Sequence, residues 1–232
     1  MKPVFAMLVA MATGCGSTHV EAAPSDHPPS IEVKPIDKAS LCVTKGNVAD
    51  FAVSDPTMRG YAVGAGGDAA QLTFTYRGES ENTRELASGE ARHQIGLKLR
   101  AQDSCNVVYV MWRLDPVPKI DVSVKFNPGM RLHQECGANG YTKVKPYKKP
   151  FVTAFEYGKT HTLRAEIVGD ELFAWVDGRL LWQGRLPETA RTIKGPVGIR
   201  SDNVKFDIVE LSAPAPQREG AVAACKREPG SD

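Results

Sequence analysis

Arg164 and Glu166, together with the basic and tyrosine-bearing stretch 127–150, are the residues whose types and spacing could do chemistry. Arg164 and Glu166 stand two apart in a run that alternates apolar and polar residues, so both project from one face of a strand. A guanidinium beside a carboxylate on a sheet face can grip sugar hydroxyls from both the donor and the acceptor side. Lys98 and Arg100 repeat that spacing in another alternating run and, with Arg113, could join the same face. The plainer alternative for all of them is a ladder of ion pairs on a solvent-facing sheet. The stretch 127–150, NPGMRLHQECGANGYTKVKPYKKP, carries His133, Tyr141 and Tyr147 among Lys143, Lys145, Lys148 and Lys149. Tyrosines could stack on a sugar ring while lysines hold an anionic group; the plainer alternative is a braced surface loop with solubilising lysines. Arg164, Glu166, Lys98, Arg100, Tyr141, Lys143 and Tyr147 are therefore the candidate ligand-binding residues.

The cysteines limit the other chemistries. There are five, with no C-x-x-C spacing and with histidines far from all of them except His133 near Cys136, so a zinc site is disfavoured. Cys15 ends a leader. Lys2 gives a short positive region, Val4 to Ala12 an apolar stretch too short to span a bilayer, and Ala12-Thr13-Gly14 the small residues before it. This segment resembles a bacterial lipoprotein signal, which implies that Cys15 is lipidated and that the protein sits in the cell envelope; if that envelope is Gram-negative, Gly16 after the cysteine favours the outer membrane. The remaining four cysteines of an exported chain read as two disulfides. Three connectivities are possible, of which Cys105 with Cys136 and Cys42 with Cys225 is favoured.

Residues 16–40 hold Pro24, Pro28, Pro29 and Pro35 without a sustained period and read as a tether; 213–232 is an irregular tail. The domain is expected over 41–212, about the size of one core-bearing unit. With 29 basic and 27 acidic side chains the net charge is +2, so no global field favours nucleic acid.

Within that span strand follows strand. Gln71 to Arg77, Gln94 to Ala101 and Asp121 to Phe126 alternate with period two, while Val107 to Leu114 is apolar at nearly every position and reads as a central strand covered on both faces. Trp112, Trp175 and Trp182 lie inside apolar strand patterns and are expected in the core. From Thr162 three strands form a meander: Gly169-Asp170 makes the first turn and Asp177-Gly178 the second. Val197 to Arg200 and Val204 to Leu211 add two more, with Asp202-Asn203 between them. No segment shows a helical period, which predicts an all-β, two-sheet antiparallel sandwich.

The order H-x-L-R-x-E-I-x-G-D-x-L-x-x-W-V-D-G-R-x-x-W, then G-P-V-G-I-R, then a closing strand, over 160–211, resembles the closing strands of the concanavalin A-like superfamily of lectins, laminin-G modules and glucanases. The resemblance implies a jelly roll. Its laminarinase-type members carry E-x-D-x-x-E on one strand, three carboxylates aimed into one cleft; this chain has no such run, and Glu79, Glu81, Glu85, Asp170 and Glu171 fall at other spacings in turns. Calcium is a family possibility for which Asp55, Asp68, Asp202 and Asn203 are chemically suited, without any D-x-D-x-D-G run; no other cofactor is implied. Three readings follow: a lipid-anchored module that binds carbohydrate or another envelope polymer without catalysis, an envelope enzyme of the keto-glycoside hydrolase kind, or a purely structural lipoprotein.

Overall fold

The structure is a computed structural model, and it describes residues 30–148, 151–215 and 225. Cys15, the leader and most of the expected tether and tail lie outside the described residues. In chain order the strands are β1 (Lys34–Pro35), β2 (Leu41–Lys45), β3 (Val48–Ala49), β4 (Ala52–Val53), β5 (Thr57–Ala62), β6 (Ala69–Glu79), β7 (Gln94–Leu99), β8 (Val107–Arg113) and β9 (Lys119–Lys125). The one-turn helix α1 (His133–Cys136) precedes β10 (Tyr141–Val144), β11 (Thr160–Val168), β12 (Glu171–Val176), β13 (Arg179–Arg185), β14 (Gly198–Asp202) and β15 (Val204–Ala213).

These strands build two antiparallel sheets, as the alternation predicts. The eight-stranded sheet runs β13-β12-β11-β6-β15-β4-β3 with β1 added on β15, and the seven-stranded sheet runs β10-β9-β8-β7-β14-β5-β2. The inward residues of each alternating strand meet in one core, where Phe74 packs edge to face on Trp112, Phe155 and Phe206. Trp112 and Trp182 are buried there. Trp175 is different: it is only half-buried and stacks on Phe173, two residues away along the same face of β12, outside the core. Alternation decides this, because Trp175 has the parity of Phe173 and not that of core residues Leu172, Ala174 and Val176.

The β11-β12-β13 meander forms as predicted, and Asp177 and Gly178 both take positive φ, 48° and 77°, the conformation of a two-residue hairpin turn that matches strand twist. The Asp202-Asn203 turn joins something else. β14 lies in one sheet and β15 in the other, so Asn203, at φ 55°, turns the chain across the sandwich. Its amide fixes that corner by donating to the carbonyls of Arg84 and Arg92 at 2.8 and 3.0 Å.

β8 is buried at all seven positions. Val108, Val110 and Trp112 face the core, whereas Val107, Tyr109 and Met111 form a smaller apolar cluster on the other face. The disulfides join Cys105 to Cys136 and Cys42 to Cys225. The second closes a loop with a sequence separation of 183 residues, for which chain entropy supplies about 5 kcal/mol of stabilisation. Residues 30–40, expected in the tether, also lie on the sandwich: β1 pairs Lys34 with Ala213, and Ile36 N–H donates to the Leu211 carbonyl.

Candidate functional site

The outer face of the seven-stranded sheet is hollowed by a cavity of ≈ 920 Å³. Strand pairing dictates what it displays. One row across six strands reads Lys143, Ser123, Tyr109, Lys98, Gly198 and Tyr61; the next reads Asp121, Met111, Gly96, Arg200 and Arg59; the third reads Lys119, Arg113, Gln94, Asp202 and Thr57. Each is an every-second residue of its strand, so all point away from the core. The segment 83–88 and Arg92 wall one end of the cavity, and His133, Gly137 and Ala138 around α1 wall another part.

Asp202 is the centre of the polar floor. Its side chain is 2% exposed, and it accepts from Arg59 Nη2 at 2.5 Å, Gln94 Nε2 at 2.6 Å and Arg200 Nε at 3.0 Å. Burial opposes its ionisation, but Arg200 and Arg59, with the Gln94 amide, outweigh that and hold it well below the usual carboxylate range. Arg200 is largely but not fully buried, 11% exposed; burial works against its charge, and the carboxylate beside it outweighs that and raises its affinity for its proton. Arg59 is shifted the other way, by burial and by the like charge of Arg200. Its Nη1 is anchored on the Met58 and Ser201 carbonyls at 2.8 and 2.6 Å. Two guanidiniums thus share one carboxylate.

Beside them, the Arg200 guanidinium lies 4.9 Å from the centre of the Tyr109 ring, and Tyr141 stacks on Tyr109 at 6.1 Å and 26°. Burial pushes the Tyr109 hydroxyl above the ordinary phenol range, so it stays protonated. Tyr141 is 42% exposed, which leaves an aromatic surface at the cavity wall. A planar cation, a carboxylate, an amide and a tyrosine pair on one rigid sheet can receive a polyol: hydrogen-bonding groups meet hydroxyls, and rings cover the C–H face of a sugar.

The candidate residues from the sequence divide. Lys98, Tyr141 and Lys143 line this cavity. Arg164 and Glu166 do not join them, because β11 belongs to the eight-stranded sheet and its outward side chains point to the opposite side of the sandwich. There Arg164 Nε donates to Glu166 at 2.7 Å, Arg164 Nη2 donates to the Ile31 carbonyl at 2.7 Å, and Ile31 N–H donates back to Glu166 at 3.1 Å. Glu166 is wholly buried, clamping the N-terminal segment to the sheet. Arg100 leaves the face suggested for it: β7 ends at Leu99, and Arg100 at φ 48° swings to Asp68 at 2.5 Å and the Ala190 carbonyl at 2.8 Å.

The stretch 127–150 is not a plain loop. It contains α1 and β10, which extends the sheet along β9. Buried Lys125 fastens it, donating to the Ser104 and Gly137 carbonyls at 3.2 and 2.8 Å. Past Val144 the chain crosses to the other sheet: Tyr147 N–H bonds the Gln183 carbonyl at 2.9 Å and its hydroxyl bonds Glu171, away from Tyr141 and Lys143. Of the oxygen donors suited to calcium, Asp202 is held by arginines, Asp68 by Arg100 and Asn203 by the Arg84 N–H at 2.7 Å, while Asp55 lies in the bend before β5. Among the described residues no group of three or more His, Cys, Asp or Glu side chains comes together for a metal.

Sequence reasoning missed Arg59, Tyr61, Gln94, Tyr109 and Arg200, and it singled out Asp202 only as a calcium-suited oxygen donor. The signal for Arg59 and Tyr61 is the alternation Thr57-Met58-Arg59-Gly60-Tyr61; Tyr109 is masked by the apolar run around it.

No family model matches the sequence, and no curated protein does either. Solved structures do. A carbohydrate-binding module, CBM66 from Bacillus subtilis, matches with a TM-score of 0.52 at 14% identity, covering 75% of this chain and 95% of that one. The chain has a jelly-roll β-sandwich fold. A tetrameric galectin from the ball sponge Cinachyrella sp. matches with a TM-score of 0.40 at 15% identity over 68% of this chain and 99% of that chain. A Crh5 transglycosylase in complex with NAG matches at 0.44 and 12%, over 80% of this chain and 84% of that chain.

Proposed function

We propose that this protein is an exported, lipid-anchored module of the bacterial cell envelope that holds a polysaccharide on the outer face of its seven-stranded sheet without cleaving it. The observation that carries the reading is the cavity floor itself: Asp202 with Arg59, Arg200 and Gln94, beside stacked Tyr109 and Tyr141. The carbohydrate-binding module with the same fold supports it. An Asp202 held ionised far below neutral pH has no proton to give a departing sugar, which weighs against its use as the acid of a glycosidase. The leader pattern ending at Cys15 supports lipidation there, and Gly16 favours the outer membrane if the envelope is Gram-negative.

The binding part is tested with the full chain, purified from an oxidising compartment, on a glycan array and against cell-wall polymers. Retention of a polysaccharide without product, lost in Arg200→Ala, is the expected result; retention of none, or release of product, overturns it. Incorporation of labelled palmitate that disappears in Cys15→Ala is the expected result for the anchor, and absence of label removes that part.

A further inference from the structure

We infer that the sugar held on this face is acidic, a unit carrying a carboxylate or sulfate, a conclusion that rests on the glycan-binding reading above. The outer face of this sheet carries two ion clusters, one in the cavity floor and one reaching it through Asp121 and Lys143, and both have more cations than anions. Arg59 and Arg200 share Asp202. On the adjoining strands Arg113 at 3.1 Å, Lys119 at 3.8 Å and Lys143 at 3.9 Å share Asp121. The first cluster keeps one positive charge in excess and the second keeps two, together more than the +2 of the entire chain.

The clusters are neighbours by sheet register. Asp121 and Arg200 occupy one row of outward positions, separated only by Met111 and Gly96, and in the next row Arg113 stands opposite Gln94, which stands opposite Asp202. Gln94 thus links the two, and it is 1% exposed with its Oε1 unbonded. That buried acceptor is uncompensated in the free protein.

A neutral sugar can accept hydrogen bonds from these cations but leaves their surplus charge in place, whereas an oxyanion offsets that charge as well, and the planar guanidinium fork matches carboxylate or sulfate geometry. The tyrosine pair at the same wall adds a stacking surface, which a merely cationic patch lacks.

The test is calorimetric titration of the full chain with polygalacturonate, dextran sulfate, neutral dextran and poly-L-glutamate at about 0.15 M salt, where exposed charges beyond the Debye length are screened. One or both acidic polysaccharides should bind tighter than dextran by about tenfold or more, the difference expected of charge-assisted bonds. Carboxylate and sulfate as alternative sources are separated by which of the two wins. The Lys119→Ala/Lys143→Ala variant, altered only at exposed side chains, should lose most of that margin, and Lys143→Arg should retain it. Dextran bound as tightly as polygalacturonate and dextran sulfate would overturn acidic selectivity and leave the glycan-binding reading standing. Poly-L-glutamate bound as tightly as the acidic sugars would reduce the face to a non-selective cation patch and overturn the inference. Binding of none of the polymers would end both readings.

Discussion

On the eight-stranded sheet the chain writes Arg164-Ala165-Glu166; on the seven-stranded sheet it writes Arg200-Ser201-Asp202. The local pattern is the same, an arginine and a carboxylate two apart on the outward side of a strand, and both carboxylates are almost completely buried, at 0% and 2% exposure. What covers them differs. Glu166 is roofed by the protein's own segment at Ser30 and Ile31, which takes the remaining hydrogen bonds of Arg164. Asp202 sits at the floor of a cavity and is shared by a second arginine, Arg59, from β5. One arginine against one carboxylate gives a neutral clamp; two against one leave a cationic floor with room for a ligand. The same dipeptide spacing therefore serves fastening on one face and, on the proposed reading, recognition on the other.

The largest effect that separates the faces is expected from Asp202→Ala. It leaves two largely buried guanidiniums without their carboxylate, a loss of up to about 3–5 kcal/mol measurable by denaturant unfolding, and glycan retention should disappear with it. Acid titration sharpens the point. A carboxylate whose folded pKa is depressed contributes fully above its unfolded value, about 3.9, and its contribution is lost as pH falls through the lower folded value. Stability of the wild type should therefore fall below about pH 4, and the slope of that acid limb should be shallower in Asp202→Asn.

Next is Glu166→Ala. Stranding Arg164 and the Ile31 N–H is expected to destabilise by about 1–3 kcal/mol and to expose the 30–40 segment to protease, while glycan affinity stays at the wild-type value. A fall in affinity would break the separation of the two faces. Tyr141→Ala removes a half-exposed ring whose stacking contributes about 0.5–1.5 kcal/mol, so affinity should drop roughly two- to twelvefold with little change in melting temperature. The smallest effect is expected from Tyr147→Phe, which deletes a hydroxyl bonded to Glu171 on the far sheet; titration should find glycan affinity unaltered, and a change would return Tyr147 to the binding site.

The sandwich was legible in the sequence because alternation is imposed residue by residue: a strand with one face in the core must place apolar side chains at every second position. The meander over 160–185 and its Asp177-Gly178 turn follow from that pattern and from the few residues that tolerate positive φ. The even count of cysteines beyond Cys15 is an equally local signal for the two disulfides. The site was legible only in pieces. Lys98, Tyr141 and Lys143 could be singled out as polar or aromatic residues in plausible places, but Arg164 and Glu166 drew more notice than Arg200 and Asp202, and Tyr147 was grouped with Tyr141.

What the sequence determined by itself is which side chains leave each strand toward the core and which leave it outward. Which outward faces become one surface was decided only by the tertiary structure. Arg59, Gln94, Tyr109, Asp121, Arg200 and Asp202 come from five strands spread over 144 residues and meet because β5, β7, β8, β9 and β14 are neighbours in one sheet. Strand order in a sandwich is set by long-range pairing, and a two-residue period carries no record of it. Whether an arginine beside a carboxylate ends up roofed or open depends in turn on where a distant segment of the same chain comes to rest.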